Sequence, residues 1–169
     1  MTGSIMSEYL PSPNSTSRVY EITLDEKSIA RNNPNVEHER EVAIFDILEC
    51  NEFKPIDLDD GPYRLHLSIV DDRLSFSIGN ESEHNLVEHV LSLTPFKRII
   101  KDYFLVCDSY YEAIRNAPPA RIQAIDQSRR NLHDEGSNVL AERLDGKIKM
   151  DFDTARRLFT LICALHWKG

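Results

Sequence analysis

One stretch, Thr94–Arg115 (TPFKRIIKDYFLVCDSYYEAIR), restricts what this chain can fold into more than any other. Its apolar residues fall at Phe96, Ile99, Ile100, Tyr103, Phe104, Cys107, Tyr110, Tyr111 and Ile114, the i, i+3, i+4, i+7 spacing of a helix face. Thr94 suits an N-cap, and Pro95 suits the first helical position, where a missing N–H costs nothing. Leu105 and Val106 fill part of the other side, so the middle reads as apolar almost all round. Such a helix is expected to be covered by other elements on more than one side.

Ahead of this helix the pattern switches to period two. Tyr63, Leu65, Leu67 and Ile69 alternate with Arg64, His66 and Ser68, and Leu74, Phe76 and Ile78 alternate with Ser75 and Ser77. With Asp71-Asp72 as a two-residue turn, Ile69 faces Leu74, Leu67 faces Phe76 and Leu65 faces Ile78, all on one face of a sheet. The other face, with His66 near Ser77 and Ser68 near Ser75, is polar. Leu86–Leu93 reads as the third strand of a meander and feeds the Thr94 cap. Val19–Leu24 is a further short strand, with Tyr20, Ile22 and Leu24 on one face, expected at a sheet edge.

Three more helices are expected. Asn35 caps one over Val36–Glu52, with an apolar stripe of Val36, Ala43, Ile44, Ile47 and Leu48. Ala117-Pro118-Pro119 stops the long helix, and Pro119 opens another that reaches Leu144 and is ended by Gly146. Gly136 inside it permits a close helix crossing or a local break. An Asp151 cap starts the last helix, running to His166 or Trp167, with Phe152, Ala155, Leu158, Phe159, Ile162 and Leu165 inward. Residues 53–62 read as a loop. Its acidic trio, Asp57, Asp59 and Asp60, lacks the later glutamate of a calcium loop. The expected fold is α+β: a small antiparallel sheet, made of the meander plus an N-terminal strand, packed on a layer of helices, three of them C-terminal. It forms one domain, 18–169, behind a flexible Ser/Thr/Pro-rich tail, 1–17.

Composition narrows the setting. At 169 residues, 41% apolar and 28% charged, the chain is globular and long enough for a real core. No apolar run approaches the roughly 18 residues that cross a bilayer, and no secretory signal is expected, with no Lys or Arg before Arg18. Cys50, Cys107 and Cys163 are far apart and lie in expected apolar helices. They read as buried thiols in a reducing compartment, which places the chain in the cytoplasm, with no metal site. The net charge of −8 is uneven: residues 1–93 hold 7 Lys/Arg against 18 Asp/Glu, whereas residues 94–169 hold 13 against 10. This describes two solvated faces of opposite sign, or a polarised molecule that orients on a partner. An acidic chain argues against nucleic acid.

Two polar groups could carry chemistry. Arg129, Arg130, His133, Asp134, Glu135 and Ser137 cluster on one expected helix, with Arg129, His133 and Ser137 on one side and Arg130 placed to pair with Asp134. The group is a surface ion-pair ladder, or a site in which His133 acts as acid–base or phosphate acceptor beside Asp134 or Glu135. The second group is basic: Lys97, Arg98 and Lys101 in the long helix, Arg115 and Arg121 at a helix junction, Arg156 and Arg157 in the last helix. It forms an anion or partner-binding face, or salt bridges to the acidic half. No P-loop, GxGxxG, GxSxG or HExxH occurs, so no cofactor is expected.

The segments ITLDEKSIAR (22–31), VEHEREVAIFDILE (36–49), GPYRLHLSI (61–69), LSLTPFKRIIKDYF (91–104), Arg129–Ser137 and DFDTARRLFTLICALHWKG (151–169) resemble an uncharacterised bacterial family, number two-six-two of the UPF series, typical of alphaproteobacteria. The resemblance spans 18–169. It implies a stand-alone cytoplasmic bacterial protein and offers no activity, cofactor or catalytic residue to carry over. The expected role is non-enzymatic, regulatory or protein-interacting, with a protein partner or self-association through the polar sheet face or the basic helical face. The alternative is a small enzyme, or a protein responsive to phosphate or another small anion, centred on Arg129, Arg130 and His133.

Overall fold

The strand pairing expected between residues 63 and 80 forms residue for residue: Ile69 is opposite Leu74, Leu67 opposite Phe76 and Leu65 opposite Ile78. Asp71 and Asp72 take φ of 53° and 59°. Those are the left-handed values that let a two-residue turn follow the twist of its strands. The structure, a computed structural model, describes residues 15–82 and 84–166. The expected tail up to residue 14, and Trp167 at the end of the last helix, lie outside the described residues. Ser17 and Arg18 are tied to the body: their carbonyls accept from the N–H groups of Phe53 and Tyr63.

In chain order the elements are β1 (Val19–Leu24), α1 (Pro34–Glu49), β2 (Phe53–Pro55), β3 (Tyr63–Val70), β4 (Arg73–Asn80), β5 (Asn85–Ser92), a 3₁₀ turn (Thr94–Phe96), α2 (Lys97–Asn116), α3 (Pro119–Leu144), β6 (Ile148–Met150) and α4 (Phe152–Leu165). The architecture is α+β. A four-stranded sheet of order β1-β3-β4-β5 turns Leu65, Leu67, Leu74, Phe76, Ile78 and Leu91 toward the core. The sheet is mixed, because β1 runs parallel to β3. A parallel neighbour needs a long crossover, and here it is built from α1 and β2. A register shift between Val19 and Glu21 breaks the simple alternation of β1, so Val19 and Ile22 are the buried residues rather than Tyr20, Ile22 and Leu24.

Residues 53–55, read as loop, pair antiparallel with Ile148–Met150 in a separate two-stranded sheet. Strands of three residues are too short to show a period. Helix α1 starts two residues earlier than expected, since Asn33, not Asn35, accepts from Val36 N–H, and Pro34 fills the first turn. Thr94 starts the 3₁₀ turn, but no side chain caps α2. Asp151 caps α4 as expected, accepting from Thr154 N–H.

The central helix is α4, not α2. Nine of its fourteen residues are buried, from Thr154 through Leu165, and both α1 and α3 pack on it. Phe152, expected inward, is exposed at its start. Gly136 of α3 is where α3 comes closest: an added Cβ would sit 2.1 Å from the Phe159 ring. Buried Arg40 ties α1 to α4 by donating to the carbonyls of Ala164 (3.1 Å) and Ala30 (3.0 Å). Helix α2 is covered far less than its composition suggests. Only Ile99, Ile100 and Ala113 are buried; Tyr103, Phe104, Cys107 and Tyr110 are half-buried, and Leu105, Tyr111 and Ile114 are about half exposed.

Candidate functional site: the cleft between α1 and α2

Apolar residues of α2 that their neighbours cover only in part line a cleft. Tyr103, Phe104, Cys107 and Tyr111 form one wall, and Val42 and Ala43 of α1 form the other. The floor is α4, through Thr160, Cys163 and Ala164, and Arg129 of α3 reaches in from one side. Its volume is about 330 Å³. That is the small end of the roughly 300–1,000 Å³ range of ligand pockets, a size for a few side chains rather than a large cofactor. Val42 and Tyr111 are exposed in its lining, and Phe45 on α1 and Leu105 and Ile114 on α2 are exposed elsewhere on the two helices.

Acidic residues edge the cleft: Glu39 and Asp46 on α1, Asp108 on α2. Among the described residues, none of these three has a Lys or Arg nitrogen within 4 Å. Among the described residues, the cation lining the cleft is Arg129, which is already engaged. Its guanidinium bonds Asp126 and lies 4.2 Å over the Tyr110 ring.

The thiols in the cleft are not activated. Burial pushes the Cys107 thiol up, and burial pushes Cys163 far above the usual thiol range. Burial likewise raises the Tyr103 hydroxyl. All three groups stay protonated at neutral pH, when it is the thiolate that attacks.

The polar residues singled out in the sequence are not gathered at one point. Arg129 faces the cleft, whereas Arg130 is largely exposed and pairs with the same Asp126 at 3.1 Å. His133 is half-buried between the rings of Phe159 (5.2 Å) and Tyr103 (5.7 Å). Its Nε2 lies 2.8 Å from Thr160 Oγ1, whose hydroxyl donates to the Arg156 carbonyl. This assigns the imidazole proton to Nε2. Nδ1 is buried and makes no hydrogen bond among the described residues. Burial, then the charge of Arg156, holds this imidazole below its usual value.

Asp134 pairs with Arg156 at 3.5 Å, and Glu135 with Arg98 at 2.7 Å. Ser137 is buried, donating to the His133 carbonyl. Lys97 pairs with Asp72 at 2.8 Å, Arg98 also with Asp102 at 3.3 Å, and Arg157 donates to the Cys50 carbonyl at 3.0 Å. Each of these cations therefore has a partner within the chain. The pairs on the surface are worth only about 0–1 kcal/mol and hold their side chains loosely.

The open polar face of the sheet carries a shallow trough of about 580 Å³. Ser77 and Gly79 of β4 floor it, between Arg64 and His66 on β3 and Leu86 and Glu88 on β5. His66 Nδ1 lies 2.6 Å from Thr23 Oγ1. Among the described residues no group of His, Cys, Asp and Glu is placed to hold a metal, and no helix is long and apolar enough to cross a membrane.

Sequence reasoning placed Tyr103, Phe104, Cys107 and Tyr111 of the cleft in the core. The signal against that reading was present. Asp102, Asp108 and Glu112 interrupt the apolar surface of α2, and Val42 and Phe45 fall off the stripe of α1. A helix charged and apolar over one sector cannot be covered all round.

Residues 16–168 match the family described as "Uncharacterised protein family (UPF0262)". A UPF0262 protein of Agrobacterium fabrum is 59% identical over 152 residues, covering 90% of this chain and 96% of its own. One from Rhodopseudomonas palustris is 56% identical over 160 residues, covering 94% and 98%. One from Nitrobacter winogradskyi is 56% identical over 165 residues, covering 97% and 99%. No solved structure matches the chain. On this match, which extends over nearly its whole length, the chain belongs to the UPF0262 family.

Proposed function

We propose that this is a non-enzymatic cytoplasmic protein that works by binding another protein in the cleft between α1 and α2. One observation carries the reading: Tyr103, Phe104, Cys107 and Tyr111 of α2 and Val42 of α1 line an open cleft and are not fully covered by a neighbouring element. Keeping Val42, Phe45 and Tyr111 43%, 60% and 57% exposed has no structural benefit, and exposed apolar patches mark interaction sites. Protonated thiols and scattered polar groups support binding over catalysis, and the role requires no cofactor or metal.

An acid–base or anion site centred on Arg129, Arg130 and His133 draws less support. One of these side chains faces the cleft, one faces solvent and one is packed between rings, edge-on to one and tilted to the other.

The test is the size of the complex formed in the host cell. Wild-type protein sediments with a partner; the double variant Val42→Gln/Tyr111→Ser sediments alone and retains its melting temperature. Identical complexes from both proteins remove the reading, as does turnover of a metabolite by a purified protein that binds nothing.

A further inference from the structure

The cleft differs from the rest of the surface in how its charges are used. The cations of α2, α3 and α4 described above are held by carboxylates or carbonyls of this chain. The carboxylates on the rim of the cleft, Glu39, Asp46 and Asp108, have no such partner among the described residues. They stand on two helices, on opposite sides of a floor whose apolar residues are Cys163 and Ala164. Like charges left facing one another across an apolar trough repel, and Arg129, which also lines the cleft, is already held by Asp126.

We propose that the occupant of the cleft is an amphipathic helix of another protein, apolar along one stripe and flanked by Lys and Arg. The inference rests on the cleft being a protein-binding site. Its apolar stripe supplies anchors at i, i+3 or i+4 and i+7 to the trough. Its basic flanks meet Glu39 and Asp46 on one side and Asp108 on the other. The rim charges steer encounter and fix which partners are accepted. A second copy of this chain is a poorer occupant. A two-fold contact through this cleft would bring the same three carboxylates against themselves.

The experiment uses two synthetic helices the length of α1, 16 residues. Both carry the same leucine stripe; one has Lys on its flanks, the other Glu. Binding to the full chain is followed by fluorescence anisotropy, and its location by NMR shifts of residues lining the cleft. The Lys helix binds, with shifts at Ala43, Tyr111 and Ala164. Its affinity falls at least about tenfold when the salt is raised from about 50 to about 500 mM, and at least about tenfold in Glu39→Lys/Asp46→Lys/Asp108→Lys. The Glu helix binds at least about tenfold more weakly to the wild type. Val42→Gln/Tyr111→Ser weakens the Lys helix without changing its salt dependence. Equal binding of both helices, abolished by the Val42/Tyr111 pair, overturns the basic partner and leaves the cleft as the binding site. If neither helix shifts the residues of the cleft, both readings fall.

Discussion

Gly136 shows how one residue sets a helix crossing. Alanine favours a helix interior over glycine by up to about 1 kcal/mol, so Gly136→Ala would stabilise an isolated α3. Here the added methyl would stand 2.1 Å from the Phe159 ring, which is fully buried, so it can shift only by repacking its neighbours. Overpacking of this kind costs about 1–3 kcal/mol, and the steric cost wins. Urea unfolding of Gly136→Ala is expected to show a net loss of about 1–2 kcal/mol; a gain would mean the two helices can separate freely.

His133 gives a sign that can be checked. Burial and the Arg156 charge lower its proton affinity in the folded chain, so the unfolded chain binds more protons than the folded one as pH falls past about 6.5. Stability contributed by the neutral ring is present above that pH and lost below it. Unfolding free energy is expected to fall between pH 7 and about 5.5, and less so in His133→Gln, which keeps a donor toward Thr160. Parallel profiles for the two proteins would contradict the assignment of a neutral ring.

At the scale of the element, Asn51 decides where β1 sits. Its side chain is buried just past α1, accepting from Val19 N–H at 2.8 Å and donating to the carbonyls of Val19 (3.1 Å) and Ile47 (2.8 Å). Asn51→Asp keeps the shape, removes both donations and buries a carboxylate against two carbonyls. Its expected cost is about 2–4 kcal/mol, with hydrogen exchange accelerated first in β1. Uniform acceleration across the sheet would mean that Asn51 does not act on that strand in particular.

The elements also show what the sequence could display. The β3–β4 hairpin was legible to the residue because alternation and turn chemistry reinforce each other. Helix ends were legible where Asp151 and Pro119 mark them. The parallel pairing of β1 was not, because parallel and antiparallel strands share one period, and the β2–β6 pair was too short to have one. Helix α2 was misread for a different reason. Periodicity reports that Tyr103, Phe104, Cys107 and Tyr111 share a face; it does not report whether a neighbour lies against that face. The candidate site lay in that ambiguity, so its residues were visible as apolar and invisible as a site.

For the whole molecule, the uneven charge noted in the sequence separates into two kinds. Much of the basic surface is spent on internal pairs such as Lys97–Asp72, Arg98–Glu135 and Arg156–Asp134, while acidic α1 and the middle of α2 frame an apolar cleft. Side chains half exposed at such a cleft contribute little to folding. Val42→Gln and Tyr111→Ser are each expected to change stability by less than about 0.5 kcal/mol; a loss several times larger would return those residues to the core.

Site-specific photo-crosslinking in the bacterial host tests the central claim most directly. A benzophenone side chain is placed at position 42 on the wall of the cleft, and as a control at position 73, on the exposed face of the sheet. The account predicts a discrete protein adduct from position 42, none from position 73, and loss of the first when Tyr111→Ser is added. A discrete adduct from position 73 alone, or none from position 42 in cells where the protein is folded and abundant, would contradict it.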